Sequence, residues 1–363
     1  MVARRKSKSR GRKFGRVLFA VAAALAASLL VMSYLSSIVN PASAWWMTFF
    51  GLLYIPFLIL CALFCLWGLL RRSWVVSALL AVIILPSIIL IGRYFQFKGN
   101  PADDTKGDLK IVSYNVGRFA SGRGEFEGLK SKELADHVSR YLREQDADVI
   151  CLQEFYLSTK YNLNEYFRRQ FPGYDAEYLV YTGANGRFGN VTLSRFKVRG
   201  KGKKEFEKSA NLALYTDIDV GGKLVRIYNC HFESYNISPS RKSFQDEQSV
   251  EESGRKYRRS AKLRPGQVDE VMADIEACQE EVMVVGDFND NPISYTYRRL
   301  IRDRKDAFFE VGKGFGATYS KVWPFLRIDY ILYPASLEAR WFALRKEAMY
   351  SDHYPISASF LVK

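Results

Sequence analysis

The first quarter of the chain contains no acidic residue. Residues 1–93 include 11 Lys and Arg but no Asp or Glu, so all 38 acids of the 363-residue protein lie in 94–363. The formal net charge of +15 therefore divides into +11 for the first part and +4 for the second. This division excludes a strongly basic surface spread over the whole protein, which is typical of nucleic-acid binders that recognise charge alone.

Cysteine and histidine are both scarce. The five cysteines are odd in number and widely spaced, which argues against a disulfide scaffold and a zinc ribbon and predicts free thiols. The three histidines are His137, His231 and His353. Because His137 falls between the apolar positions of a predicted helix, we interpret it as a surface residue. Histidine chemistry in this chain therefore depends on the other two.

Long uncharged runs occur in the first part of the chain, at 17–39, 45–70 and 74–92. The hydrocarbon core of a bilayer requires about 20 helical residues, and each run is near or above that length. A signal peptide is the alternative for the first run, but this run is longer than a usual signal core and two more follow it. The sequence therefore predicts three transmembrane helices and a multi-pass protein of the cell membrane.

The basic residues predict the orientation of these helices. Residues 1–16 form a tail with eight Lys and Arg, and Arg71 and Arg72 lie between the second and third runs. Positively charged segments tend to stay on the cytoplasmic side of a membrane. Three crossings that start from a cytoplasmic tail would place everything after Gly92 outside the cytoplasm.

The second part has the pattern of an α/β domain. Residues 93–107 are rich in Gly, Asn, Pro and Asp and are predicted to form a linker, and residues 108–363 are numerous enough for one large core. Gly221-Gly222, between two apolar runs, predicts a β-hairpin. The strand-like segments are 109–116, 148–152, 212–220, 223–232, 282–285, 327–333 and 356–362, and the helix-like ones are 133–146 and 265–279. The mixture favours two sheets, or one mixed sheet, covered by helices.

Two segments of the second part, 199–208 and 234–264, are dense in charge. Such segments are usually solvated loops, and we predict loops here. The alternative is that one of them contacts phosphate groups of a nucleic acid or of lipid head groups.

Polar residues suited to metal binding and proton transfer lie near the ends of the strand-like segments. The set is Asn115, Glu154, His231, Asp287, Asn289, Asp329, Asp352 and His353. Most of them, taken singly, are better explained as turn or surface residues. Asp329 differs, because it lies inside an apolar run where an unpaired charge is costly, and it therefore requires a partner such as a histidine.

Hydrolysis of a phosphate ester would give this set a common purpose. It requires a hard cation, Mg²⁺ or Mn²⁺, and Glu154 and Asp352 are carboxylates that can hold one. It also requires a base that deprotonates water and donors that bind the phosphoryl oxygens, for which the remaining members of the set are suitable. A Gly-rich phosphate loop, a Ser-His-Asp spacing and a thiolate cluster are all absent from the sequence.

Seven short segments, each with polar residues, follow one another along the second part of the chain, at 113–115, 148–154, 189–195, 229–231, 286–289, 327–330 and 351–355. In this order they resemble the motifs of the endonuclease/exonuclease/phosphatase superfamily. This superfamily includes deoxyribonuclease I-like nucleases, apurinic endonucleases, inositol polyphosphate 5-phosphatases and neutral sphingomyelinases. The resemblance covers about 108–363 and implies a four-layered α/β sandwich, in which two mixed sheets are flanked by helices.

The resemblance also implies roles for single residues. Glu154 is similar to the metal-binding carboxylate of the superfamily, with Asn115 beside it and Asp352 near the metal. Asp287 and Asn289 resemble its Asp-x-Asn pair, which orients or deprotonates water and stabilises the transition state.

Three further residues complete the resemblance. Asp329 is similar to the acid that holds the last histidine, His353, which would face the phosphate. His231 resembles the second histidine of the nuclease, phosphatase and sphingomyelinase branches. Asn190 resembles the Asn that contacts the substrate, and Asn115 also lies close to the substrate in this comparison.

Departures from the motifs argue against one branch of the superfamily, the apurinic endonucleases. Gly117 stands where apurinic endonucleases have an acid, and these enzymes lack a histidine at the place of His231. The sequence thus predicts a membrane-anchored, Mg²⁺-dependent phosphoesterase, foremost a phosphodiesterase of nuclease type. A lipid phosphodiesterase or phosphatase is the alternative within this chemistry, and an inactive scaffold is the alternative from another class. The expected partners are a nucleic acid or lipid head group and the membrane, and no protein partner is predicted.

Overall fold

The computed structural model describes residues 2–97, 107–235, 247–322, 324 and 326–363. The chain divides into two compact units, one of Met1–Gly92 with Ile293–Tyr295 and one of Arg93–Pro292 with Thr296–Lys363. Most of the predicted linker and part of the charge-dense segment 234–264 lie outside the described residues.

The first unit is helical. Its helices are α1 (Val2–Ser36), α2 (Met47–Leu52), α3 (Tyr54–Leu70), α4 (Trp74–Ile84) and α5 (Ser87–Leu90). The first predicted span is the C-terminal part of α1, which begins in the basic tail and not at residue 17.

The other two predicted spans are interrupted near their prolines. Pro56 lies in the first turn of α3, and Pro86 directly precedes α5. Proline lacks an N–H and is tolerated at a helix start, where no intrahelical acceptor is available for that N–H. The apolar runs 45–70 and 74–92 therefore do not form single continuous helices.

The prediction of three spanning helices is not supported. Within the described residues, one helix, Lys13–Ser36, is long and apolar enough to cross a membrane. A second span results only if Trp74–Ile84 and Ser87–Arg93, which are bent by 46°, are taken as one. A signal sequence near an N-terminus would have the same length and composition as the first helix.

The second unit contains two six-stranded sheets. The strands are β1 (Phe95–Gln96), β2 (Leu109–Asn115), β3 (Val149–Ser158), β4 (Asp175–Thr182), β5 (Gly186–Ser194), β6 (Val198–Glu205), β7 (Leu212–Val220), β8 (Lys223–His231), β9 (Glu281–Asp287), β10 (Arg304–Asp306), β11 (Gly314–Phe315), β12 (Asp329–Pro334), β13 (Leu337–Leu344) and β14 (Ile356–Val362). The helices are α6 (Ser131–Glu144), α7 (Leu163–Gln170), α8 (Glu247–Glu276), α9 (Tyr295–Leu300) and α10 (Ala307–Val311).

The two sheets have matching topologies. The first has the strand order β13-β14-β2-β3-β5-β4 and the second has the order β10-β12-β9-β8-β7-β6, while β1 and β11 form a separate pair. In each sheet the two central strands are parallel, β2 with β3 and β8 with β9, and the other neighbours are antiparallel. Both sheets are therefore mixed, as the resemblance implied.

Alternating side chains build the layers. Ile111 of β2 packs in the core between the sheets with Ile227 of β8, whereas the next residue, Val112, faces Val138 of α6. On the far side of the second sheet, Val268 of α8 packs in a third core with strand residues. The order helix, sheet, sheet, helix gives the predicted four-layered α/β sandwich.

The charge-dense segment 199–208 is not a loop, because most of it forms the edge strand β6. Its glycines allow it to pair closely with the neighbouring strand. A Cβ atom at Gly200 or Gly202 would lie 2.4 Å or 2.3 Å from the side chains of Asp217 and Tyr215 on the neighbouring strand. The lysines alternate with these glycines and point to solvent, and charged residues of this kind protect an edge strand from aggregation.

The strand ends define where a site can form. The parallel register places Asn115 opposite Gln153, and His231 opposite Asp287. The antiparallel strand β12 begins at Asp329, which also lies opposite Asp287. The topology thus brings polar residues from both sheets to one end of the sandwich.

Candidate active site

The residues predicted from sequence meet at this end of the sandwich. Asn115 is buried at the end of β2, and its Nδ2 donates to Asp287 Oδ2 at 2.9 Å and to Glu154 Oε1 at 3.3 Å. Its Oδ1 accepts from the N–H of Gly117 at 3.0 Å. Asn115 therefore links two carboxylates from different sheets. A role for its oxygen as a metal ligand stays a prediction.

Glu154 owes its position to an irregularity in β3. It was expected just past the end of a strand, but it lies within β3, where the pairing with β5 shifts register between Leu152 and Phe155. Its φ is 51°, a left-handed conformation that is costly for a residue with a side chain. A bulge redirects a side chain, and strain of this kind clusters at functional sites. The carboxylate is partly exposed, 3.5 Å from Arg118 Nε.

Asp287 is the buried carboxylate at the centre of the site. Its Oδ1 accepts from the N–H of Asn289 at 2.8 Å. Asn289 has a φ of 52°, and its Nδ2 donates to the Phe232 carbonyl at 2.9 Å, which ties the turn after β9 to the end of β8. Burial and the charge of Asp329 raise the pKa of Asp287 to about 6. Asp287 is therefore placed to exchange a proton near neutral pH.

The buried Asp329 is paired with His353, the kind of partner that the sequence predicts for it. Its Oδ2 lies 3.0 Å from His353 Nδ1, and both side chains are buried. Burial alone would lower the pKa of His353, but the charges of Asp329 and Asp287 outweigh it and raise this pKa to about 10. The imidazole is thus protonated at neutral pH, with Nε2 3.8 Å from Asp287 Oδ2.

His231 has a nitrogen available for a ligand. Its Nε2 lies 3.6 Å from Glu154 Oε1 and 3.8 Å from Asp287 Oδ2, too far for hydrogen bonds. This atom is buried and has no hydrogen-bond partner in the part of the chain that the structure describes. A buried nitrogen left without a partner is costly, which indicates that a water or substrate oxygen completes the site.

Asp352 is held by a lysine that the sequence analysis did not single out. Lys321 Nζ lies 2.9 Å from Asp352 Oδ2. Burial would raise the pKa of Asp352, but the positive charges of His353 and Lys321 lower it below its ordinary value. Lys321 lies in a short turn after β11, and nothing in its sequence surroundings distinguishes it from a surface lysine.

Asn190 takes no hydrogen bond from the other predicted site residues in the described structure. Its Nδ2 donates to the carbonyls of Leu212 and Asn229 at 3.3 Å and 3.0 Å, which joins the first sheet to the second. Its Oδ1 is buried and without a hydrogen-bond partner among the described residues. The predicted contact between Asn190 and the substrate stays a prediction.

Arg264 connects the two loops that carry the site. The segment 234–264 was predicted to be a solvated loop. Its residues from Glu247 onward instead belong to α8, and Arg264 of this helix is 1% exposed. Its Nε and Nη2 donate to the Glu233 carbonyl at 2.9 Å and 2.7 Å, and its Nη1 lies 3.0 Å from Asp290 Oδ2. Glu233 follows His231 by two residues and Asp290 follows Asn289, so this guanidinium fixes both loops.

Arg264→Met is expected to destabilise the protein by about 3–5 kcal/mol, because it leaves the buried charge of Asp290 uncompensated. The measurement is the denaturant midpoint of the detergent-solubilised full chain. Arg255→Met is the matched control, since Arg255 lies on the same helix in an exposed pair with Glu251, worth about 0.3–0.5 kcal/mol. Equal midpoints for the two variants would show that the pairing of Arg264 with Asp290 does not stabilise the fold.

The donor set fits a hard divalent cation. Glu154 and Asp287 turn carboxylate oxygens toward one amide group, and His231 Nε2 between them has no partner. Asp287, Asp329 and His353 also place ligand atoms within 4.8 Å of one another. A protonated imidazole does not bind a metal, however, so His353 is unsuited to this role. The partly exposed Glu154 is the better anchor for a cation.

Comparison with known proteins gives two matches to family models. The model described as "Endonuclease/Exonuclease/phosphatase family" matches residues 112–353. A second model, described as "Domain of unknown function (DUF8431)", matches residues 16–94. No curated protein matches the chain.

Solved structures share the fold of the second unit. An endonuclease/exonuclease/phosphatase from Beutenbergia cavernae is 16% identical with a TM-score of 0.53, and the match covers 70% of this chain and 71% of that one. One from Bacteroides vulgatus is 17% identical with a TM-score of 0.50, covering 70% and 99%. The catalytic domain of human nocturnin, solved with a sulfate anion, is 15% identical with a TM-score of 0.53, covering 72% and 97%. These likenesses show the fold.

Proposed function

This chain belongs to the Endonuclease/Exonuclease/phosphatase family of phosphoester-hydrolysing enzymes, and from its site we propose that it is a nuclease-type phosphodiesterase that requires a divalent cation at Glu154. The observation that carries the proposal is the geometry of the site, in which Asn115 donates to both Asp287 and Glu154 and His353 Nε2 lies 3.8 Å from Asp287 Oδ2. The pKa of Asp287 is raised to about 6 and that of His353 to about 10. Between these values the site holds a carboxylate that can accept a proton and an imidazolium that can bind an anion.

Asp287 is the group that we assign to activation of water. The N–H of Asn289 and Nδ2 of Asn115 each donate to one of its oxygens, which fixes the plane of the carboxylate. A carboxylate held in this way keeps free lone pairs in a defined direction, so it can orient a water molecule and take its proton.

His353 and His231 are the groups that we assign to the phosphoryl oxygens. Asp329 holds His353 Nδ1, so Nε2 is the nitrogen that faces the site. His231 Nε2 lies 3.8 Å from Asp287 Oδ2 and has no hydrogen-bond partner among the described residues that a substrate would have to displace. Preorganised donors stabilise the charge that develops in a transition state. A divalent cation bound at Glu154, with Asp352 and Asn115 nearby, would add Lewis-acid stabilisation of the same oxygens.

Hydrolysis of bis(4-nitrophenyl) phosphate tests this proposal. We expect the full chain in detergent to release nitrophenol with Mg²⁺ or Mn²⁺ and to lose this activity in excess chelator. Restoration of activity by added Mg²⁺ distinguishes loss of the cation from loss of the fold. Full activity in chelator would contradict the metal requirement, and no activity with any divalent cation would favour the inactive scaffold.

A lipid phosphodiesterase or phosphatase is the second candidate, and the apolar helix Lys13–Ser36 favours it because it would tether the enzyme beside phospholipids. A substrate panel separates the candidates. Hydrolysis of single-stranded or plasmid DNA supports the nuclease, whereas release of head groups from phospholipid vesicles supports the lipid enzyme.

We also propose that the N-terminal unit anchors the protein in the cell membrane and that the catalytic unit is extracytoplasmic. With the basic tail in the cytoplasm, a single crossing by Lys13–Ser36 places Lys363 outside. If the bent pair Trp74–Ile84 and Ser87–Arg93 forms a second crossing, Lys363 lies inside. A phosphatase reporter fused after Lys363 is therefore expected to be active, and a fluorescent reporter that matures only in the cytoplasm is expected to be dark. The reverse pattern would show an even number of crossings.

A further inference from the structure

A row of aromatic side chains leads away from the site across three strands. Tyr156 of β3 lies opposite Phe188 of β5, and Phe188 lies opposite Tyr181 of β4. Directly opposed residues share a face of the sheet, so the three rings form one row, about 10 Å long at the usual strand spacing. The Tyr181 and Phe188 rings are 5.8 Å apart. All three side chains are partly exposed.

The row lies on the face that carries the candidate site. Phe188 is two residues from Asn190 along β5, and residues two apart point to the same side of a strand. Asn190 faces the second sheet, because it bonds to carbonyls of Leu212 and Asn229. On the opposite face, Arg187 bonds to the Tyr161 carbonyl instead. The row is thus the outward continuation of the face between the sheets.

A glycine on the neighbouring strand leaves room for the first ring of the row. A Cβ atom at Gly186, two residues before Phe188, would lie 2.2 Å from the ring of Tyr156, so this ring rests on bare backbone. The hydroxyl of Tyr156 donates to the Asn185 carbonyl at 3.1 Å, which holds the ring in place. Any side chain larger than glycine at this position would displace the ring.

One cation joins the row to the site. The guanidinium of Arg118 lies 5.0 Å from the centre of the Phe188 ring, and its Nε lies 3.5 Å from Glu154 Oε2. Arg118 is exposed and has a φ of 56°. At the outer end, Glu205 is the acid near Tyr181, and it is paired with Lys203 at 2.9 Å. The row therefore begins at an exposed arginine paired with Glu154 and ends at the pair of Lys203 and Glu205.

We infer that Tyr156, Phe188 and Tyr181 form a stacking platform for bases of a single-stranded nucleic acid whose backbone enters the site past Arg118. The inference rests on the proposed phosphodiesterase function and names its substrate class. Bases stack on aromatic rings whatever their identity, and arginine beside such rings contacts phosphate, which is the pattern of single-strand binding surfaces. Two tyrosine hydroxyls and a guanidinium make the row too polar for an acyl chain.

Binding to a base-bearing and a base-free ligand tests the platform. The probes are a fluorescein-labelled oligothymidylate and an abasic sugar-phosphate oligomer of the same length, measured by anisotropy with the full chain in detergent and excess chelator. Stacking is worth about 1–3 kcal/mol per base, so we expect the oligothymidylate to bind at least about 10-fold tighter. Phe188→Leu, which keeps an apolar side chain but removes the ring, is expected to abolish most of this preference.

Two further variants make the result decisive. Tyr161→Leu is the matched control, because Tyr161 is an exposed tyrosine that lies off the row, and it should keep the preference for bases. Tyr181→Leu removes the outer ring and should lose part of the preference, which keeps the test valid if Phe188→Leu fails to fold. Equal affinity of the wild type for both oligomers, or an unchanged preference in both row variants, overturns the platform.

The outcomes separate this inference from the proposed function. If the wild type hydrolyses bis(4-nitrophenyl) phosphate but does not prefer the base-bearing oligomer, the platform is wrong and the phosphodiesterase stands. If the wild type neither hydrolyses bis(4-nitrophenyl) phosphate nor prefers the base-bearing oligomer, both the proposed function and the platform are wrong. If Phe188→Leu lowers hydrolysis of phospholipid in mixed micelles and leaves oligothymidylate binding unchanged, the row contacts lipid and the inference is overturned.

Discussion

Glu154→Gln is expected to lower turnover on a phosphodiester by at least about 10³-fold and to raise the Mg²⁺ concentration needed for half-maximal activity. Glutamine has the shape of glutamate and can still accept the hydrogen bond from Asn115. The change therefore removes the negative charge and little else. A cation that stabilises transition-state charge supplies several kcal/mol, and about 4 kcal/mol corresponds to this loss of rate.

The measurement is a Mg²⁺ titration of turnover for the full chain, with Glu165→Gln as the matched control. Glu165 lies in the first turn of α7, away from the strand ends that form the site, so its variant should titrate as the wild type does. If Glu154→Gln reaches wild-type turnover at ordinary Mg²⁺ concentrations, the cation is not held at this carboxylate.

The sequence predicts which polar residues come together where a candidate residue lies at the end of a strand. Asn115, His231 and Asp287 each end an apolar strand, and parallel strands deliver their carboxyl ends to one edge of a sheet. The hairpin at Gly221-Gly222 and the strand Ile356–Val362 were also predictable, because turn residues and alternation are local signals.

The remaining features depend on contacts between distant segments. The bulge that redirects Glu154 appears only when β3 pairs with β5. The burial of Arg264 requires α8 to pack on the second sheet, and a sequence dense in charge gives no sign of it. Strand register, which aligns Phe188 with aromatic residues of two other strands, is likewise set by tertiary packing.

The prediction of three membrane helices was wrong for a different reason. Length and hydropathy identify apolar runs, but they do not show where a run breaks. Pro56 and Pro86 lie inside the uncharged runs 45–70 and 74–92, yet Pro56 is in the first turn of α3 and Pro86 directly precedes α5. Composition therefore predicted the apolar unit correctly and its number of continuous helices incorrectly.

Asp329→Asn is expected to lower turnover by at least about 10²-fold while the fold is preserved. The backbone of Asp329 stays in place without the carboxylate, because its N–H donates to Thr318 Oγ1 at 3.1 Å and its strand pairs with that of Asp287. The side chain, in contrast, is the principal source of the charge that keeps His353 protonated. The variant should therefore still fold, with an unfolding midpoint below that of the wild type because the charge that stabilises the buried imidazolium is lost, and it should fail at catalysis.

The pH profile distinguishes this role from a purely structural one. In the wild type the pKa of His353 is raised to about 10 from an ordinary value near 6.5, so the imidazolium and the stability it brings are fully present below about 6.5 and are lost as pH rises through 10. Without the charge of Asp329, the lowering of this pKa by burial is offset only by the charges of Asp287 and Asp352, so the alkaline limb of turnover should move toward neutral pH. Measurement of turnover against pH for both proteins shows the shift.

A double variant completes the argument. If Asp329 acts by holding and charging His353, then Asp329→Asn should cost little more on a His353→Ala background, because residues that act as one unit are not additive. Multiplication of the two losses would mean that the carboxylate and the imidazole act independently, although their atoms lie 3.0 Å apart. If the Asp329→Asn variant is as active as the wild type and its alkaline limb does not move, Asp329 has no role in the reaction.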